Sequence, residues 1–238
     1  TSPEEQAQAE AEAKFTKKLD KHYHRNIDNA DVAKFPKAML AHNYKDKFDG
    51  SFENLYSQPK LDGMRCIVTK DGMFSREGKP ILSAPHIYES LKHLFGINPD
   101  FIFDGELYAS HLRDDFEKLI SLAKKKKPTP EQIAESADHL EYWVYDLVVA
   151  HDPRDNFHAR YDTLERLFRM NASVVVTPTE QVRDQEHMDE LYAGYLADGQ
   201  EGQMLRNGAS LYQGKRTKDL LKRKEFVDAE YEIVSLNE

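Results

Sequence analysis

The chain has 238 residues, 39% hydrophobic and 11% aromatic, which is enough to bury a core in one large domain or two small ones and marks it as globular rather than disordered. A formal charge of −9 argues against a protein that coats nucleic acid by bulk electrostatics, although it is compatible with a local basic groove. No apolar run approaches the roughly 20 residues of a membrane span, and the N-terminus is too acidic and polar for a signal peptide. The single cysteine, Cys66, excludes an internal disulfide and a cysteine-rich zinc site, so an intracellular, reducing setting is expected.

Residues 2–22 are predicted to be helical. Ser2 and Glu5 have capping-box spacing, Pro3 holds the first helical position, and Glu, Ala, Gln and Lys dominate. The apolar side is thin (Phe15, Leu19), as in an appended helix. His22, His24, Asp28 and Asp31 follow, and their spacing matches no metal-ligand pattern. An apolar segment at 35–41 precedes a polar loop to Gly50. β-Like runs follow Lys60 and span 72–76, and residues 84–95 have helical spacing. Phe101–Tyr108 reads as a strand with acidic residues in its middle. Helices are expected at 114–123 and 130–138, separated by Lys124, Lys125, Lys126 and Lys127, either a solvated loop or a contact for nucleic-acid phosphates.

The run at 142–149 is the most β-rich of the chain and is predicted to be a central strand. An amphipathic helix at 160–169, a buried strand at 174–176 and a helix at 186–197 come next. Strand-like runs at 203–206, 209–212, 220–224 and 231–236 complete the chain. Strands and helices mix without repeats or clean βαβ alternation, which predicts an α+β fold with antiparallel sheets. No Walker loop or Rossmann fingerprint occurs, so any nucleotide is held in another way.

The chain is organised around Gln58-Pro59-Lys60-Leu61-Asp62-Gly63-Met64-Arg65. Asp62-Gly63 between two cations, with Cys66-Ile67-Val68 behind, suggests a loop entering a strand. A lysine there becomes nucleophilic when desolvation or neighbouring cations lower its pKa. Taken alone, the run also reads as a surface hairpin with solvated charges. Five further segments pair charged or aromatic residues with strand-like runs: Ser75–Gly78, Asp104–Glu106, Tyr142–Asp146, Glu201–Arg206 and Leu220–Lys224. Each has a plain alternative: Glu106 as a surface carboxylate, Tyr145 as a core aromatic, Glu201 as a turn residue, Lys222 and Lys224 as a strand's polar face. Together they would suit a nucleoside triphosphate, with carboxylates for Mg²⁺, cations for phosphates and an aromatic face for the base.

In this order the six segments resemble nucleotidyltransferase motifs I, Ia, III, IIIa, IV and V of the ATP-dependent DNA ligases, whose superfamily also holds RNA ligases and mRNA capping enzymes. The match covers roughly residues 36–236. The resemblance implies an ATP-grasp-like nucleotidyltransferase domain, α+β, with antiparallel sheets flanked by helices. It also implies roles. Lys60 would attack the α-phosphate of ATP to give lysyl-AMP and pyrophosphate, within a nucleotide site that includes Gln58 and Leu61. Arg65 and Glu106 would bind the ribose, Tyr145 would stack on adenine, and Lys222 and Lys224 would grip the α-phosphate. Glu201, with Glu106, would hold Mg²⁺. Arg76 would contact the nucleotide or the 5′-phosphate of a nick. Arg206 is either a contact or structural.

Two departures stand out. Many cellular DNA ligases carry Glu two residues before the nucleophile, reading the adenine amino group, where this chain has Gln58, whose amide can still bond to N6 or N1. The family's second domain, an OB fold with motif VI, is also expected and absent. The expected division is thus a helical extension at 1–34, an adenylation domain at 35–228 and the start of a truncated OB domain at 229–238. Weak self-adenylylation, or none, would follow. The partners implied are nicked duplex DNA and the missing domain, with no membrane and a monomeric chain. The alternatives are an RNA ligase, a capping guanylyltransferase, or a non-catalytic nucleic-acid-binding module.

Overall fold

In the computed structural model, which describes residues 2–19, 36–113, 115–150, 152, 154–168 and 173–224, the chain begins with helix α1 (Pro3–Leu19). Ser2 and Glu5 cap it reciprocally. The Ser2 backbone N–H donates to the Glu5 carboxylate (2.8 Å) and the Glu5 N–H donates to the Ser2 hydroxyl (3.2 Å), as the capping-box spacing requires. The extension of this helix to residue 22, the His22/His24/Asp28/Asp31 group, the strand at 231–236 and the start of a second domain at 229–238 lie outside the described residues.

Along the chain follow β1 (Leu40–Asn43), α2 (Tyr44–Lys47), β2 (Leu55–Lys60), β3 (Met64–Thr69), β4 (Gly72–Ser75) and α3 (Pro85–Leu91). Next come β5 (Phe101–Tyr108), α4 (Phe116–Ala123), α5 (Pro130–His139), β6 (Glu141–Val149) and α6 (Phe157–Leu167). The last are β7 (Val174–Val176), β8 (Glu180–Gln181), α7 (Gln185–Ala197), β9 (Gly202–Asn207) and β10 (Arg216–Arg223). The strands form two sheets, in the orders β1-β10-β9-β2-β8 and β4-β3-β5-β6-β7. Pairing is antiparallel except for β1 with β10 and β6 with β7. The α+β fold with antiparallel-rich sheets is therefore the one expected.

Strand alternation assigns the layers. In β5, Phe101, Phe103 and Leu107 pack with Ile87 and Leu91 of α3 and Leu119 and Leu122 of α4, forming the main core on the helical side of the second sheet. Ile102, one residue out of phase, joins Ile67, Val148 and Ala38 in a smaller cluster. Burying each such side chain contributes roughly 1.5–3 kcal/mol. The acidic positions Asp104 and Glu106 share the phase of Ile102, not of the main core. Opposite them β6 carries a bulge: Asp104 pairs with Asp146 and Gly105 with Val144, leaving Tyr145 as the extra residue. A bulge re-aims a side chain, and here the residue so placed is Tyr145.

Three local expectations differ from the structure. β1 and α2 occupy part of the region read as a polar loop, because β1 gains a parallel partner in β10, a contact no local pattern reveals. Helix α6 starts at Phe157 rather than 160, since the Asn156 side chain accepts from the Ala159 N–H (3.0 Å) and caps it there. Residues 209–212 form no strand; only a single bridge joins Leu211 to Asn156, and the strand expected at 220–224 begins earlier, at Arg216.

Candidate functional site

Lys60 is the last residue of β2, and Leu61-Asp62-Gly63 then carry the chain from the first sheet into β3 of the second. Gly63 is required in this crossing, since a Cβ would lie 2.4 Å from the Leu107 carbonyl oxygen and 2.7 Å from Glu106 Cγ. A cavity of about 270 Å³ opens here and draws its walls from both sheets. Of the residues expected from sequence, Gln58, Lys60, Leu61, Arg65, Arg76, Glu106, Tyr145 and Lys222 line it. Glu201 and Lys224 adjoin it through Lys60. The Glu201 carboxylate sits between two ammonium groups, with Oε2 accepting from Lys60 Nζ and Oε1 from Lys224 Nζ at 2.7 Å.

Strand register enforces that arrangement. Lys60 lies opposite Gly202 in the β2–β9 ladder, and the Glu201 N–H donates to the Lys60 carbonyl (3.0 Å). Gly202 has φ +154°, and a Cβ there would lie 2.2 Å from the Arg223 carbonyl oxygen, so β10 packs directly against the glycine. Only a residue without a side chain brings β2, β9 and β10 this close.

Burial, and after it the neighbouring Lys224, lowers the pKa of Lys60 to about 8 against the opposing charges of Glu106 and Asp62. A lysine of pKa about 8 is roughly one-tenth neutral at pH 7, against well under a thousandth for an exposed one. Burial moves Glu106 the other way, up to about 8, although Arg65 and Lys60 pull it down. The Tyr145 hydroxyl, raised by burial, donates to Glu106 Oε2 at 3.4 Å.

Two buried ion clusters flank Tyr145. Arg65 donates to both oxygens of Asp104 (2.9 and 2.5 Å), and the Tyr212 hydroxyl donates to Asp104 Oδ2 (2.7 Å). On the other side Asp146 accepts two bonds from Arg160 (2.7 and 3.0 Å) and one from Arg206 (2.8 Å). The guanidinium carbons of Arg65 and Arg206 lie 5.5 and 5.3 Å from the Tyr145 ring centroid, within cation–π range. Tyr145 is half-buried and faces the cavity, not the main core.

The cavity also contains Leu40, Ala41, Pro59, Met204, Arg206, Arg216 and Leu220. Arg216 lies outside the strand expected at 220–224, because β10 starts four residues earlier. Carried back two turns of the pleat, the period of two places Arg216, Leu220 and Lys222 on one face. Leu40 and Ala41 had no local signal, since their place depends on pairing with β10. The lysine run Lys124–Lys127, directly after α4, is not part of the lining.

Two antiparallel-rich sheets meeting over this cavity, with flanking helices, define the nucleotidyltransferase (adenylation) fold of the DNA ligases. The model of the ATP dependent DNA ligase domain matches residues 38–224. The chain belongs to that family. It is 25% identical over 194 residues to the DNA ligase of Haemophilus influenzae, covering 78% of this chain and 62% of that protein. Among solved structures, a Lig E DNA ligase superposes with a TM-score of 0.64 at 23% identity, over 80% of this chain and 69% of that one. The Chlorella virus DNA ligase-adenylate gives 0.62 at 21%, over 81% and 70%. The chain thus spans less than two-thirds of the length of the Haemophilus relative.

Proposed function

We propose that this chain is the adenylation domain of an ATP-dependent DNA ligase, with Lys60 as its nucleophile. The observation that carries this reading is the convergence of six segments, dispersed between residues 58 and 224, on a lysine whose pKa is lowered to about 8. Unprotonated Lys60 Nζ would attack the α-phosphorus of ATP. A P–N bond forms, the bond to the bridging oxygen breaks, and pyrophosphate leaves with its electron pair. The adenylyl group would pass from lysine to the 5′-phosphate of a nick, and the 3′-hydroxyl would then displace AMP to seal it.

Tyr145 supplies the stacking face, Glu106 and Arg65 the ribose side, and Lys222 and Lys224 the α-phosphate. Arg76 and Arg216, both exposed on the cavity wall, provide cations for the phosphates of nucleotide or DNA. Among the described residues no three His, Cys, Asp or Glu side chains cluster for a metal. Glu106 and Glu201 nevertheless offer half-buried carboxylate oxygens, which suits Mg²⁺, an ion that takes one or two carboxylates and completes its shell with phosphate and water. Bound there, it would neutralise charge on the α-phosphate and the departing pyrophosphate.

No helix among the described residues is long and apolar enough to cross a membrane. A buried free cysteine fits the reducing interior in which a ligase would meet nicked duplex DNA, as a monomer. The domain division that goes with this reading is an N-terminal extension to residue 34, an adenylation domain at 35–228 and a following OB domain that begins at 229. The test is incubation of concentrated protein with α-³²P-ATP and Mg²⁺, beside Lys60→Ala, with acid treatment of the labelled band. A weak, acid-labile label absent from Lys60→Ala is expected. A label that is acid-stable, or that survives the substitution, overturns the assignment of Lys60.

A further inference from the structure

Gln58 occupies the position from which a side chain two residues before the nucleophile would read the base, yet its amide is committed elsewhere. The residue is 1% exposed. Its Oε1 accepts from Arg206 Nε at 2.6 Å, and its Nε2 donates to Thr179 Oγ1 at 2.7 Å and to the Tyr145 carbonyl at 3.3 Å. Arg206 has only donors, so the amide cannot be turned around without setting N–H against N–H. Both amide hydrogens are used. Thr179 is used too, since its hydroxyl donates to the Thr177 carbonyl (3.0 Å).

Two of the three bonds that Gln58 makes end on Tyr145 itself and on Arg206 beside its ring. Gln58 lies opposite Met204 in the β2–β9 ladder, which brings Arg206, two residues along, to the same face on the diagonal. Arg206 is 4% exposed and is gripped from both sides, by Gln58 and by Asp146, with its guanidinium carbon 5.3 Å from the Tyr145 ring centroid. A second bond from Gln58 holds the Tyr145 main chain at its bulge.

We propose that Gln58 is a positioning residue: it fixes Arg206 and Tyr145 as the platform for the nucleotide, and the choice between adenine and guanine is made without its side chain. This rests on the nucleotide-binding reading above. Gln58→Glu keeps an acceptor for Arg206 but loses the donor to the Tyr145 carbonyl, whereas Gln58→Leu loses both and leaves a buried guanidinium N–H without a partner.

The experiment is calorimetric titration of the full chain with ATP and separately with GTP, for wild type, Gln58→Glu, Gln58→Leu and Arg206→Lys, with Tm recorded for each. Gln58→Leu should raise both dissociation constants by a common factor of roughly tenfold or more, and Gln58→Glu, which keeps the acceptor for Arg206 but loses the donor to Tyr145, should raise both by a smaller common factor. The ATP-to-GTP ratio should stay constant throughout. A ratio that moves by roughly tenfold in any folded Gln58 variant overturns the proposal and makes Gln58 a base reader. Unchanged affinities in Gln58→Leu overturn it as well. If Gln58→Leu does not fold, Gln58→Glu and Arg206→Lys decide by the same ratio. A wild-type chain that binds neither nucleotide overturns the nucleotide reading itself, whereas a shifted ratio in a binding-competent chain overturns only the role given to Gln58.

Discussion

Asp146→Asn should be among the most destabilising single substitutions in this domain, although Asp146 touches neither Lys60 nor the expected phosphates. The carboxylate is fully buried and accepts from Arg160, Arg206 and the Leu147 N–H (2.9 Å). The arginines are 3% and 4% exposed, so neither can reach water once the charge opposite is gone. Residual partners soften the loss: Arg160 also donates to the carbonyls of Asp155 (2.8 Å) and Ser210 (3.1 Å), and Arg206 to Gln58. Breaking a buried pair by removing one partner costs about 3–5 kcal/mol, and the asparagine NH₂ adds a donor facing donors. For a chain of this size that corresponds to a Tm lower by roughly 6–20 °C. Urea unfolding followed by far-UV circular dichroism measures it. A cost below about 1 kcal/mol would refute the view that Asp146 is the shared counter-ion of both guanidiniums. Replacing Asp146, Arg160 and Arg206 together by apolar residues of similar volume should recover part of the loss, because the desolvation of all three ions disappears with them.

Further outcomes follow from the site. The initial rate of lysyl-AMP formation should rise about tenfold per pH unit up to an inflection near 8 and then flatten, because the reactive form is neutral Lys60; a flat profile between pH 6 and 9 refutes it. The raised pKa of Glu106 means that the folded chain holds a proton the unfolded chain has lost. Between about pH 4.5 and 8 Glu106 therefore makes stability fall as pH rises, and urea midpoints at pH 5.5 and 8 should differ less in Glu106→Gln than in wild type. Lys60, lowered rather than raised, acts in the opposite sense between about pH 8 and 10.5, where stability should climb with pH and Lys60→Met should remove the climb. Gly202→Ala should abolish labelling and lower Tm, since its Cβ would meet the Arg223 carbonyl at 2.2 Å; normal labelling by this variant would show that β10 can yield there.

Much of the site was legible in the sequence because its chemistry sits on strands with strong local patterns. Lys60-Leu61-Asp62-Gly63 announces a crossing, and the acidic residues of Phe101–Tyr108 stand out because they interrupt an apolar run. Helices α4, α5 and α7 answer to the runs read as helical at 114–123, 130–138 and 186–197, and the side chains of Asp115, Thr129 and Asp184 cap them. What was not legible depends on partners distant in the chain. β1 exists because β10 lies beside it, 170 or more residues later, and four residues of mixed polarity carry no strand signal of their own. The bulge that gives Tyr145 to the cavity is a mismatch between two strands, so local sequence reads Tyr145 as one more core aromatic. Gln58 shows the same limit at a single side chain, since its neighbours Arg206 and Thr179 arrive from β9 and from the segment after β7.

The charge of the cavity resolves the contrast between an acidic chain and a substrate built on phosphates. Its lining holds six cations, Lys60, Arg65, Arg76, Arg206, Arg216 and Lys222, against one carboxylate, Glu106, in a chain of net charge −9. Asp104 pairs with Arg65 from behind, and Asp146, shared with Arg160, holds Arg206, which turns those two into fixed walls around Tyr145. Lys222, Arg76 and Arg216 are left facing the cavity, while Lys60 and Lys224 share Glu201. The division is physical: guanidiniums bonded to carboxylates behind the cavity hold geometry, and the less buried cations with few partners answer to phosphate charge. Low dielectric inside the cleft strengthens that answer over what the same cations would give on an open surface. Net charge therefore constrains this domain's attraction to long nucleic acids far more than it constrains its grip on one triphosphate.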